Sequence, residues 1–173
     1  APTGVSALQA KGQTIHSFFK FPPRFIQKGK VKDLPNKKLF RKLDVLIIDE
    51  ISMVRADMLD AIDFSLRQQR EEYIKPFGGV QIVMIGDLLQ LPPIVSEEDA
   101  FLFEQNYDGV FFFNADIIHK IKLKYIEFET ILRQEQRRFI SILNAIREGN
   151  TDEFVLQEIN ERFRATFEQA AVG

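Results

Sequence analysis

Two short, largely apolar runs, each ending at an acidic residue, constrain the fold of this chain most strongly. Val45–Ile48 leads directly into Asp49, and Val80–Ile85 leads through Gly86 into Asp87. Runs of this length that are rich in β-branched residues predict strands buried on both faces, as in a parallel sheet. In such sheets ligands gather at the carboxyl ends of the strands, so the polar residues that follow each run are the first candidates for a functional site.

Helical spacing between the two runs completes an alternating pattern. Met58, Ile62 and Leu66 recur within residues 56–70 at the spacing of one helix face. Alternating strands and helices predict an α/β domain with a mostly parallel sheet. We further predict two helical pieces in residues 5–20 separated by Gly12, a loop or small hairpin outside the core at 20–42, a turn at Gly78-Gly79, an irregular stretch at 88–108, a strand at Tyr125–Thr130, a helix at 136–147 ending before Gly149, and a last helix capped by Thr151.

Composition excludes several classes of protein. The chain has 173 residues, 45% of them hydrophobic and 28% charged, which is ordinary for one globular domain and unlike a disordered chain. It has no cysteine, which excludes disulfides, thiolate metal sites and cysteine nucleophiles and fits a reducing compartment. We expect a cytoplasmic location, or a nuclear or mitochondrial one if the protein is eukaryotic. No apolar run is long enough to cross a membrane.

The positive charge of the chain is concentrated in one segment. Residues 20–42, called the basic segment below, hold nine lysines and arginines and the single acid Asp33, a local charge of +8 in a chain whose net charge is −2. Such a segment could follow or separate DNA strands, and it could equally be a solvated charged loop.

Asp49 and Glu50 are the strongest candidates for chemistry. A carboxylate at a strand end can hold Mg²⁺, directly or through water, and an adjacent one can polarise a water molecule that attacks a phosphoryl group. The alternative is that the pair merely opens a loop. Asp87, at the end of the second run, is a further candidate for binding the nucleotide.

Two further polar residues follow predicted strands. Gln90, within Gly86–Pro93, could hydrogen-bond a phosphate oxygen and a water together, or it could lie in solvent on a proline-stiffened loop. Arg133, within Thr130–Gln134, could stabilise the charge that develops on a transferred phosphoryl group, or it could be a surface arginine.

The N-terminal residues have the chemistry of sugar–phosphate contacts. Thr3, Thr14 and His16 offer hydroxyl and imidazole groups near helix starts, and Phe18 or Phe19 could stack on a base. One histidine and two phenylalanines on a short helix are, however, more often packing residues.

Taken in order, these segments resemble the motifs of PIF-type (petite integration frequency) DNA helicases, in the RecD-like branch of superfamily 1. The stretch APTGVSALQAKGQTIHSFF is similar to their two early DNA-contacting motifs, VLIIDEISMV to Walker B, GGVQIVMIGDLLQLPPI to motif III and TILRQ to motif IV. The resemblance extends from residue 1 to about residue 160. A RecD or relaxase-type helicase fits the short basic segment and TILRQ less well.

The resemblance implies a first RecA-like motor domain, partial at its N-terminus, of an ATP-dependent 5′-to-3′ helicase acting on single-stranded DNA. Asp49 would serve Mg²⁺, Glu50 the attacking water, Gln90 would sense the γ-phosphate and Arg133 would touch it. Residues 21–40 would correspond to a small wedge subdomain. The positions along the DNA path would be Pro2, Thr3, Gly4, Thr14 and His16.

The sequence departs from the family in one respect that bears on activity. It contains no G-x-x-x-x-G-K-[ST] phosphate loop, and residues 161–173 match no motif. We therefore expect the chain alone to bind nucleotide weakly and not to hydrolyse it, with a rearranged fold or a dimer covering the sheet edge. Two other functions stay open, a DNA-binding module derived from such a motor and an NTPase of this architecture that does not unwind DNA.

Overall fold

A computed structural model describes residues 1–128, 130, 137–150 and 152–160 of the chain. The chain divides into two compact units, residues 1–124 and 125–173. Within the described ranges, no helix has the length and apolar character needed to cross a membrane.

Two parallel strands form the sheet in the first unit. Strand β1 (Val45–Ile48) pairs with β2 (Gln81–Met84) in the register Val45↔Gln81 to Ile48↔Met84. The long helix α4 (Ala56–Arg70) connects them, which confirms the predicted strand–helix–strand order. Because the two strands run in the same direction, both end at the same edge of the sheet.

The prediction that the strands are buried on both faces is wrong for the described residues. Ile48 is 2% exposed and belongs to the same buried cluster as Ile62 of α4, whereas Val45 and Ile47 are 43% and 60% exposed. Successive side chains of a strand point to opposite faces, so the described residues cover one face of β1 and leave the other open.

The N-terminal residues form two short helices, as predicted. Helix α1 (Gly4–Gln9) begins after Thr3, and α2 (Ile15–Phe19) begins after Thr14. Each threonine hydroxyl accepts a hydrogen bond from a backbone N–H three residues on, at 3.2 Å in α1 and 3.1 Å in α2. These bonds satisfy donors that a helix start would otherwise leave unpaired.

The basic segment contributes to the core, contrary to the prediction. It is mostly irregular and ends in helix α3 (Lys37–Arg41). Its charged side chains are largely exposed, whereas several of its apolar side chains pack into the core. The buried apolar side chains are Phe21, Ile26, Leu34 and Phe40.

The stretch 88–108 is irregular only in its first part. Helix α5 (Glu97–Asn106) occupies the rest, and the Ser96 hydroxyl accepts from the Asp99 N–H at 3.2 Å. The first turn of this helix contains the acidic residues Glu97, Glu98 and Asp99, and negative charge is favoured there by the helix dipole. Short 3₁₀ turns lie at Ile51–Met53, Pro76–Gly79, Phe112–Asn114 and Ile118–Lys120.

The second unit contains helices α6 (Arg137–Arg147) and α7 (Glu153–Asn160). An ion pair between Arg138 and Glu158 joins the two helices. Gly149 follows α6 with a φ of +72°, in agreement with the predicted helix end. The predicted cap Thr151 lies outside the described residues.

The predicted strand at Tyr125–Thr130 is wrong over the residues that the structure describes. Residues 125–128 and 130 form no strand, and Tyr125 and Phe128 are 80% and 90% exposed. Alternating apolar residues make a strand only where a neighbouring strand supplies hydrogen bonds, and the described residues supply none here.

Candidate functional site

The loops after β1 and β2 are joined by backbone hydrogen bonds where they leave the sheet. The Ile85 N–H donates to the Ile48 carbonyl at 2.9 Å, and the Ile51 N–H donates to the Ile85 carbonyl at 2.9 Å. Asp49 and Glu50 lie between these two bonds on the first loop. The structure therefore holds both carboxylates beside the start of the second loop.

Glu50 has an uncommon backbone conformation. Its φ is +55°, in the left-handed region that costs a residue with a side chain about 1 kcal/mol or more. The Asp49 Oδ1 accepts from the Glu50 N–H at 3.0 Å, and the 3₁₀ turn at Ile51–Met53 follows at once. Both side chains are half-buried. The turn thus presents two adjacent carboxylates at the edge of the sheet.

Gly86 lets the two loops approach each other closely. A Cβ atom at this position would lie 2.9 Å from the Ile51 nitrogen and 3.0 Å from the Ile51 Cγ2. Both distances are too short for a real carbon atom, so a side chain here would push the second loop away from the carboxylates.

Asp87 holds Gln90 in place. Its carboxylate accepts from the Leu89 N–H at 3.1 Å and from the Gln90 Nε2 at 3.2 Å, and its carbonyl accepts from the Gln90 N–H at 3.1 Å. The Gln90 side chain is exposed. Asp87, predicted to bind the nucleotide, is therefore also placed to orient Gln90.

The N-terminal residues lie next to the carboxylate loop. Burial lowers the pKa of the Ala1 amino group, and the nearby Asp49 carboxylate acts in the opposite direction. The Ile15 N–H donates to the Ala1 carbonyl at 2.9 Å, and the Ala1 amino group donates to the Gln13 carbonyl at 3.2 Å. The starts of α1 and α2 are therefore adjacent to each other, and the Ala1 amino group is close enough to Asp49 for their charges to interact.

The candidate DNA contacts lie at these two helix starts. Thr3 and Thr14 use their hydroxyls as caps, and His16 Nδ1 lies 3.3 Å from the Phe21 carbonyl oxygen. Pro2 is half-buried before the Thr3 cap, and Gly4, at the first position of α1, is exposed with nothing within 4 Å of where its Cβ would be. Open space at Gly4 leaves the backbone there accessible to a ligand.

Base stacking by Phe19 is excluded by its burial. Phe19 is 2% exposed, and its ring stacks on that of Phe21 at a centroid distance of 5.2 Å. Phe18 is half-buried and packs edge-on against Phe19 and Phe40, at 4.9 and 5.2 Å. Both rings therefore pack against other side chains. The sequence pattern of so short a helix could not distinguish core packing from base stacking.

Arg133 lies outside the described residues, so its position relative to Asp49 and Gln90 stays a prediction.

Sequence reasoning missed a buried polar cluster behind the carboxylate loop. The Arg55 guanidinium donates to both oxygens of Asp57, at 2.9 and 2.8 Å, and lies 3.9 Å from Asp99. The side chains of Arg55 and Asp57 are 7% and 0% exposed. The available signal was the position of Asp57 next to Met58 on the apolar side of α4, where an acid without a partner would be costly.

A second missed cluster surrounds Asp60. Its carboxylate accepts from the Tyr107 hydroxyl at 3.0 Å and from the N–H groups of Asp116 and Ile117 at 3.1 and 2.9 Å. Burial raises the pKa of Asp60, and the three hydrogen bonds oppose that shift. Burial and the neighbouring Asp60 charge raise the pKa of Tyr107. The donors come from distant segments, so only the folded chain reveals this cluster.

The chain is similar to known helicases along most of its length. The family model described as PIF1-like helicase matches residues 1–157. The ATP-dependent DNA helicase PIF1 of Candida albicans is 38% identical over 160 residues, covering 87% of this chain and 17% of the relative. That of Mus musculus is 33% identical over 172 residues, covering 96% of this chain and 24% of the relative.

Solved structures of the same kind superpose on the chain. The Pif1 helicase from Bacteroides in complex with ADP-AlF3 and ssDNA has a TM-score of 0.90 and 38% identity, with 99% of this chain and 41% of that chain covered. Pif1 from Candida albicans has a TM-score of 0.75 and 29% identity, with 98% and 37% covered. This likeness confirms the predicted RecA-like α/β fold, and the chain belongs to the PIF1-like helicase family.

Proposed function

We propose that this chain forms part of the first motor domain of an ATP-dependent DNA helicase that couples ATP hydrolysis to 5′-to-3′ movement along single-stranded DNA. The chain spans 17% and 24% of the length of the two curated relatives named above, so the activity belongs to a larger protein. The observation that carries the proposal is the pair of loops bonded together at one sheet edge, with Asp49 and Glu50 on one and Gln90 on the other.

The carboxylates fit a magnesium–nucleotide site. Mg²⁺ takes one or two protein carboxylates and completes its shell with water and phosphate oxygens, and Asp49 and Glu50 supply such a pair. When bound, the ion would neutralise charge on the phosphates. Asp49 would hold the ion, and Glu50 would accept a proton from the attacking water.

The amide of Gln90 is suited to report whether the γ-phosphate is present. Its exposed end can exchange the Asp87 oxygen, now 3.2 Å away, for a phosphate oxygen or the attacking water. Asp87 would orient Gln90 and contribute to the nucleotide site. Arg133 would contact the γ-phosphate from the segment after residue 130.

The helix starts beside Asp49 would form the path of the DNA strand. Pro2, Thr3 and Gly4 at the first start, with Thr14 and His16 at the second, surround backbone N–H groups of the kind that bind phosphates. The Bacteroides relative was solved with ssDNA, which supports DNA as the partner. The Ala1 amino group is close enough to Asp49 for their charges to interact, so changes at the nucleotide could be transmitted to the DNA path over a short distance.

The DNA role is tested by substituting Thr14→Asn with His16→Gln in the intact helicase. Asparagine keeps a capping oxygen for α2, so the helix should persist while the DNA-facing groups change. We expect at least tenfold weaker stimulation of ATP hydrolysis by single-stranded DNA, equivalent to about 1.4 kcal/mol. Gln9→Ala, on the exposed side of α1, is the matched control.

Full stimulation in the double variant would contradict the DNA path and favour an NTPase that does not unwind DNA. Salt-dependent binding of single-stranded DNA by an intact protein without any ATPase activity would instead favour a binding module.

A further inference from the structure

Along one buried face of α4, three of four residues are polar, where a buried helix usually carries apolar residues. Asp57, Ala61, Ser65 and Gln69 follow one another at four-residue intervals, so they lie on one side of the helix. All four are buried. Buried polar side chains need hydrogen-bond partners, and the partners of the first and last of these lie in the basic segment.

The first turn of α4 holds the beginning of the basic segment. The Asp57 Oδ2 accepts from the Ile26 N–H at 2.7 Å, and the Arg55 guanidinium donates to the Arg24 carbonyl at 2.9 Å. Asp99 of α5 accepts from the Phe25 N–H at 3.1 Å. Three consecutive backbone groups of the segment are therefore fixed by one buried ion cluster.

The last turn of α4 holds the segment a second time. The Gln69 Oε1 accepts from the Leu34 N–H at 3.3 Å, and the neighbouring Gln68 Nε2 donates to Asp33 at 3.0 Å. Gln69 is completely buried, so its amide is not shared with solvent.

The two attachment points fix both ends of the chain between Ile26 and Leu34. Asp57 and Gln69 are twelve residues apart on the helix, or about 18 Å at the helical rise. The eight-residue step from Ile26 to Leu34 would cover that distance at about 2.2 Å per residue, below the fully extended limit of about 3.3–3.6 Å. The spare length is partly taken up by a turn in which the Lys30 N–H donates to the Gln27 carbonyl at 3.0 Å. Lys30 and Lys32 lie in this stretch and are exposed.

We propose that Asp57 and Gln69 are positioning residues that hold the basic segment along α4 and so preform a phosphate-binding row at Lys30 and Lys32. This inference rests on the proposed DNA-binding function. A charged loop that is already ordered pays less conformational entropy when it binds a phosphate backbone. The residues that carry the charge and those that fix its position are different, and an experiment can separate them.

Salt dependence distinguishes the two roles. Each phosphate contact that is lost lowers the slope of log affinity against log salt concentration by about 0.7 for a single strand. Loosening the segment keeps the number of cations, so it should weaken binding at every salt concentration and leave the slope unchanged.

The test is a fluorescence-anisotropy titration of labelled oligothymidylate with the intact protein at several salt concentrations. Lys30→Gln with Lys32→Gln should reduce the slope. Gln69→Met removes the acceptor for Leu34 without a change of charge or much change of volume, and it should weaken binding about tenfold at an unaltered slope. Arg55→Met with Asp57→Leu removes two of the three contacts at the other end and one charge of each sign, while Asp99 keeps the Phe25 N–H as a donor.

Ser65→Ala is the matched control, because the Ser65 hydroxyl is buried on the same face and has no hydrogen-bond partner among the described residues. It should bind as the unaltered protein does. If the Arg55 and Asp57 double variant does not fold, Gln69→Met alone carries the test.

Wild-type affinity in Gln69→Met, or a slope altered by it, would overturn the positioning role while the lysine effect preserved the DNA-binding function. An unaltered slope in the lysine variant would overturn the phosphate-binding row. Failure of the unaltered protein to bind oligothymidylate would overturn the DNA-binding function itself.

Discussion

At the scale of single residues, the candidate site depends on backbone positions with strict requirements. Gly86 follows the second apolar run, and the structure gives a specific reason for glycine there, since the Ile51 backbone occupies the space of a side chain. Glu50 adopts a left-handed conformation without being glycine. Neither requirement can be derived from residue type, because each depends on the neighbouring loop.

Gly86→Ala should therefore destabilise the fold. The added Cβ would meet the Ile51 nitrogen at 2.9 Å, and relief requires a backbone shift that costs about 1–3 kcal/mol. Urea unfolding of the variant measures the loss. Gly4→Ala, where nothing lies within 4 Å, is the control and should be neutral or stabilising. Equal stability of the two variants would contradict the close approach of the loops.

Tyr107→Phe should raise the pKa of Asp60 further. Burial already raises that pKa, and the Tyr107 hydroxyl is one of the donors that oppose the shift. A raised pKa in the folded chain means that the native state binds the proton more tightly than the unfolded state does. The contribution of Asp60 to stability is therefore largest below the unfolded pKa of 3.8 and declines as the pH rises through the folded pKa.

NMR titration of the Asp60 carboxyl carbon measures this effect. In Tyr107→Phe the window over which stability declines should extend to higher pH. An unchanged or lower pKa would show that the hydroxyl contributes nothing to the ionised carboxylate.

At the scale of elements, sequence patterns correctly predicted the helices and strands that depend on residues close together in the chain. The strand–helix–strand order and the two short N-terminal helices are confirmed, because apolar spacing and helix capping act over a few residues. The predictions from sequence fail where contacts with other segments determine the local structure. Residues 97–106 form a helix, and Tyr125–Phe128 do not form a strand.

Ser96→Ala should weaken α5 by removing its cap. The Ser96 hydroxyl accepts from the Asp99 N–H, and loss of such a cap costs about 1 kcal/mol. Asp99 also accepts from the Phe25 N–H, so the loss should extend to the start of the basic segment. Hydrogen exchange at Phe25 and in the first turn of α5 should accelerate together. Acceleration confined to α5 would contradict the link.

At the scale of the whole molecule, the described residues leave one face of the sheet open. Val45 and Ile47 of β1 are exposed although their sequence pattern predicts burial. An apolar face of this kind is typically covered by another element or another chain. A dimer through this face stays a prediction that sedimentation of the chain can test.

The meeting of the Asp49 and Gln90 loops was predicted from sequence because parallel strands end at one edge, whereas the polar face of α4 was not.

The most direct test of the account is the rate of DNA-stimulated ATP hydrolysis by the intact helicase carrying Glu50→Gln. Glutamine preserves the shape of the side chain but cannot accept the proton of the attacking water. The account predicts a fall in kcat of about 10²-fold or more, typical of losing a general base, with nucleotide still bound. A kcat equal to that of the unaltered protein would contradict the assignment of this sheet edge as the site of hydrolysis.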